Sequence, residues 1–205
     1  PVNALEGIDR AIKLEPQSLG LQLRKLELIC RYNLETNVES VVNQLEHTKK
    51  FDFGVTHTVE NILSLERNAK GEFCFKSASP VSPLAIFNAV EKAQSVRWNS
   101  RRGARFYSLK SDYYARLSML NEAVVAIEKA ASFTPTVDLY VKGAVMLASA
   151  ELYKPALEKL EQAEDANHKR PFLYPSRQLE IDQLRAKFRN LLAKKIGSLP
   201  FCVDH

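Results

Sequence analysis

Apolar side chains return along this chain at the spacing of one helical face, segment after segment. Residues 4–14 bring Ala4, Leu5, Ile8, Ala11 and Ile12 onto a common stripe, and Leu19, Leu23, Leu26 and Cys30 form a second, widened by Leu21, Leu28 and Ile29. Val38, Val41, Val42 and Leu45 mark a third helix, and Val55, Val59, Ile62 and Leu63 a fourth. A fifth, near 83–95, aligns Ile86, Phe87, Val90 and Ala93. Further helices are predicted near 101–118, 121–133, 137–151 and 154–167. A last one runs over about 175–194, with Ile181, Leu184, Phe188, Leu191 and Leu192 inward. Intervals of three and four residues, sustained over ten or more positions, are the signature of amphipathic α-helices.

The interruptions fit the same reading. Asn33–Asn37 reads as a turn, and Pro16 and Pro135 stand where a helix must stop. Pro155 suits the first turn of its helix. Residues 68–82 hold Gly71, Ser77, Ser79, Pro80 and Ser82 and read as a loop, with Phe73, Cys74 and Phe75 expected to tuck against a helix. This loop exceeds the roughly 2–8 residues usual between packed helices.

A longer period lies over the short one. Tyr140, Ala156, Leu160 and Ala163 each follow Tyr107, Ala123, Ile127 and Ala130 by 33 residues. Ala4, Ile8, Ala11 and Pro16 repeat the second half of that pattern, ending as Ala123, Ile127, Ala130 and Pro135 do. A period of this length predicts helical hairpins stacked in series. Small alanines let paired helices approach, and larger residues such as Tyr107 and Ile127 fill the space between them. Each hairpin then needs the next to cover its apolar face.

Tyr107, Tyr114, Ala123, Ile127, Ala130 and Pro135 carry a resemblance to the tetratricopeptide (TPR) repeat, with Ile127 in the place of a Phe. Lys110 and Ser111 depart from the Leu-Gly of that pattern, and His168 stands where its proline would fall in the next copy. The resemblance implies an all-α, right-handed solenoid of antiparallel helix pairs, about ten helices in one domain over residues 1–205. Its parts are a half repeat at 4–16, weak repeats at 19–50 and 53–96, clearer repeats at 104–136 and 137–169, and a capping helix at 175–194. Because residues 4–16 match only half a unit and the chain opens on Pro1, the sequence is expected to be a piece of something longer. In such a stack the first helix of each pair lines a concave face. The resemblance thus places Arg105, Ser108, Asp112 and Arg116, with Val141, Val145 and Ser149, on that face.

Composition narrows the classes. The 205 residues are 45% hydrophobic and 26% charged, with only seven glycines, which suits a folded helical protein. The longest uncharged run, Ser77–Val90, has 14 residues and two prolines, short of the roughly 20 apolar residues that span a membrane. Cys30, Cys74 and Cys202 are too few and too scattered for a disulfide framework, although one pair remains open. His47, His57, His168 and His205 lie far apart, and the one i, i+3 pair, His57 and Glu60, has no second pair to complete a metal site. No Cys-x-x-Cys, Gly-x-Ser-x-Gly or glycine-rich phosphate loop occurs. The expectation is a non-catalytic chain without a cofactor.

Charge supplies the functional expectation. The balance is +5, from 29 basic and 24 acidic residues, and residues 97–110 hold Arg97, Arg101, Arg102, Arg105 and Lys110 with no acid. The candidate partner-binding residues are Arg101, Arg102, Arg105, Asp112, Arg116, Val141 and Val145, facing a protein or peptide segment of acidic character held by charge-assisted hydrogen bonds. Two other readings stand beside this one. Trp98 among Arg97, Arg101 and Arg102, with a pI near 9.1, would suit nucleic-acid binding, although acids are dispersed through the other helices. The array is also similar to the TPR-like tails of bacterial envelope glycan polymerases and ligases, which implies a module that positions a membrane-embedded catalyst. The compartment stays open: cytoplasmic, or periplasmic in that last case.

Overall fold

A computed structural model describes residues 2–32, 38–48, 57–59, 61, 83–94, 99–169 and 175–197. Among them are nine α-helices, and residues 57–59 and 61 are helical as well, so the fold is all-α. The expected loop at 68–82, the turn at 33–37, Trp98, Cys74 and Cys202 lie outside the described residues, as does most of the fourth expected helix. The chain divides into two units, Pro1–Trp98 and Asn99–His205.

In the first unit α1 (Val2–Leu14) packs on α2 (Leu19–Tyr32), α2 on α3 (Val38–Glu46), and α3 on α4 (Pro83–Gln94). Pro16 follows the end of α1. The chain turns back at once, because Ser18 caps α2 by accepting the Leu21 N–H on its Oγ at 3.2 Å. The ion pair Lys25–Asp9 at 2.7 Å then ties the two helices. The predicted stripe Leu19, Leu23, Leu26 and Cys30 is buried, as are Val38, Val41, Val42 and Leu45, and Ile86, Phe87 and Val90.

The second unit holds five helices: α5 (Ser100–Arg116), α6 (Leu120–Phe133), α7 (Val137–Ser149), α8 (Tyr153–His168) and α9 (Pro175–Gly197). α5 pairs with α6, α7 with α8, α6 touches α7, and α9 covers α8 and part of α7. The 33-residue period is visible in the backbone. Both hairpins turn on a left-handed residue, Ser118 at φ 59° and Glu151 at φ 58°. In each, the next N–H reaches back across the turn: Met119 to the Tyr114 carbonyl at 3.0 Å, and Leu152 to the Leu147 carbonyl at 2.9 Å. This pair of matching Schellman turns satisfies carbonyls that a helix end otherwise leaves unbonded.

Ala123, Ala130, Ala156 and Ala163 are fully buried, and Ile127 and Leu160 fill equivalent positions beside them. Truncating either larger side chain to Ala would cost about 2–5 kcal/mol. Ser111 shows why a small residue is needed at that point of α5. Its hydroxyl is buried and donates to the Ala123 carbonyl of the facing helix at 2.8 Å. Lys110 beside it is buried too, with its ammonium 5.8 Å from the Tyr114 ring centre.

In α9 Ile181 and Phe188 are buried, and Leu184 and Leu191 pack against the same core, as the pattern predicts. Not every charged residue of α9 faces outward. Arg185 turns toward α8, where it is only 19% exposed and pairs with Glu164. Its long aliphatic stem lies along the protein while its head finds a carboxylate.

Candidate partner-binding face

The first helices of the two second-unit hairpins are joined side by side through one ammonium group. Lys142 of α7 donates to the Ser108 carbonyl of α5 at 3.2 Å and to the Ser108 hydroxyl at 2.9 Å, and it pairs with Asp112 at 2.7 Å. α9 continues the row, since Arg177 meets Asp138 of α7 at 2.6 Å. On the second layer Lys159 of α8 meets Glu128 of α6 at 3.0 Å. The Lys142 contacts fix which faces of α5 and α7 run together.

Residues 101, 105, 112 and 116 fall within an arc of about 60° on α5, given about 100° per residue. Arg101, Arg105 and Arg116 are exposed on that arc. Arg102 is half-buried, and its N–H is held by the Asn99 side chain at 3.0 Å, which caps the helix. Asp112 spends its charge on Lys142. Of the two valines, Val145 is 42% exposed and Val141 only 7%, so Val141 belongs to the hairpin core and offers a partner little surface. The structure thus brings Arg105, Asp112, Arg116 and Val145 onto neighbouring helix faces and places Arg101 and Arg102 at the start of α5.

Sequence reasoning missed Lys142. It lies 34 residues after Ser108, one repeat plus one position, and that offset is the signal that could have found it. It also missed Glu27, which is fully buried on α2. Glu27 is held by Arg24 and Arg31 from its own helix, with the Asn61 amide 3.4 Å away. Arginines at i−3 and i+4 around an acid in an apolar stripe are a legible sign of such a cluster.

The acid at the α8–α9 seam is tuned. The Arg185 hydrogen bond holds the Glu164 carboxyl below its ordinary range, Gln178 assists, and partial burial opposes them. Arg177 is held more firmly protonated, first by Glu180 and then by Asp138.

Among the described residues no three His, Cys, Asp or Glu side chains are grouped to hold a metal ion, and no helix is long and apolar enough to cross a membrane. Glu60, the partner of His57 in the spacing noted above, lies outside the described residues, and Cys30 is buried on α2. Compared with models of known families and with curated proteins, the chain matches none.

Proposed function

We propose that this chain is a TPR-like helical-repeat module that catalyses nothing itself and binds an acidic segment of a partner along the outward faces of α5 and α7. The observation that carries the reading is the Lys142 bridge to Ser108 and Asp112, which makes those two faces one surface. Lys142 neutralises Asp112 at its centre, and Arg101, Arg105 and Arg116 are exposed on the same arc of α5. Val145 adds an apolar contact. Guanidinium groups offer carboxylates a forked pair of donors, which favours an acidic partner over a neutral one.

The test is fluorescence anisotropy with a labelled peptide of four glutamates around a central leucine, against a peptide with glutamines in their place. The glutamate peptide is expected to bind more tightly and to weaken as salt rises. Reversing Arg101, Arg105 and Arg116 to Glu should reduce its affinity about tenfold, as three exposed charges of roughly 0.5 kcal/mol each would. Equal affinity for the two peptides, or indifference to the three reversals, would reject the reading.

A further inference from the structure

The 33-residue offset pairs Tyr107 with Tyr140, Lys129 with Gln162, Phe133 with Ala166 and Gly103 with Thr136. In the first hairpin Tyr107 is covered on its faces. Phe133 stacks on it with ring centres 5.7 Å apart and planes 11° apart, and the Lys129 ammonium lies 4.4 Å from its centre. Gly103 admits that ring, since a Cβ there would come within 2.8 Å of the Phe133 carbons. The second hairpin has neither the ring nor the cation in sequence, and among the described residues none lies over Tyr140, which is only partly buried. Beside it is a cleft of about 420 Å³, lined by Tyr140, Gln162 and Ala166 and by Asp138, Asp165 and Lys169. That volume falls within the roughly 300–1,000 Å³ of sites that take small groups.

We infer that this cleft takes the guanidinium of an arginine on a partner polypeptide, laid flat on the Tyr140 ring between Asp138 and Asp165. The inference rests on the partner-binding reading but concerns a different surface. A planar cation supplies at once what Phe133 and Lys129 supply to Tyr107: a flat stacking group and a positive charge over the ring. The walls carry two carboxylates against one ammonium. Asp138 already accepts Arg177 on one side and is 57% exposed, which leaves a side open for a second donor. A phenylalanine would stack and leave the carboxylates unanswered. A lysine would answer them without stacking.

The experiment titrates the ¹⁵N-labelled protein with N-acetyl-arginine methylamide, and separately with the lysine and phenylalanine analogues, with no acidic peptide present. Its failure is therefore distinct from failure of the acidic docking surface. Saturable shifts are expected at the amides of residues 136–140 and 162–169, with the lysine analogue about fivefold weaker for want of stacking. Asp165→Asn, an exposed change outside the core, should weaken the arginine probe about threefold to tenfold. The double variant Thr136→Gly/Ala166→Phe copies the first hairpin, tolerates Gly at the cap position, and should abolish the shifts while keeping the helical circular dichroism. No saturable shift at those amides, equal or tighter binding of the lysine or phenylalanine analogue, or no change with Asp165→Asn would overturn the inference.

Discussion

Ser118 and Glu151 stand where a helix commonly ends on glycine, and each holds a left-handed backbone that an L side chain resists. Ser118→Gly removes that strain at an exposed position. It should stabilise the second unit, Asn99–His205, by about 1 kcal/mol, a rise of about 4 °C in Tm by calorimetry. Glu151→Gly should gain less, because Glu151 also pairs with Lys195 at 2.9 Å. An unchanged or lowered Tm in Ser118→Gly would mean that the turn is not strained. At this scale the sequence was partly legible. The buried alanines could be read from their spacing, whereas Ser111 looked like a departure from the repeat. Its role depends on the Ala123 carbonyl opposite, which no local pattern discloses. Val141 was misjudged for a similar reason. A face assigned by register alone does not say how deep its residues sit once the neighbouring helix is in place.

Helix lengths follow from single residues. α6 stops at Phe133 because Thr134 is driven into an extended conformation before Pro135. α8, with His168 in the equivalent place, runs two residues further along the same register. These ends were legible because proline acts locally. The docking of α9 was legible only on its apolar side, since whether an arginine on a helix faces water or a neighbour depends on a carboxylate that another helix supplies. That pairing has a pH consequence. The Glu164 carboxyl is held below its ordinary range in the folded chain, so the unfolded chain takes up its proton first as the pH falls. Its stabilising contribution is therefore complete above the ordinary carboxylate range, and it is lost as the pH falls through that range toward the lower folded value. Urea midpoints measured from pH 7 to pH 3 should fall less steeply for Glu164→Gln than for the parent chain. Identical slopes would mean that the seam with Arg185 contributes nothing.

For the whole chain, the recurrence between residues 104 and 169 was legible because tight helix pairing accepts few residue types, and those types return on schedule. The all-helical class followed from the short period. How Lys142 joins α5 to α7 was not legible, because it depends on where two hairpins come to rest. Above all, the hairpins α5–α6 and α7–α8 should behave as interchangeable members of one series. Removing residues 104–136 joins Ser100–Gly103 directly to Val137 and so rebuilds a helix of the length of α5 on the partner α8, with the α9 seam intact. Thermal unfolding followed by far-ultraviolet circular dichroism tests this against a control deletion of 29 residues, which is out of register. A cooperative melt is expected for the 33-residue deletion, with helical signal reduced in proportion to the residues removed, and loss of cooperativity in the control. A 33-residue deletion that melts without cooperativity, or a control that melts just as sharply, would contradict that interchangeability.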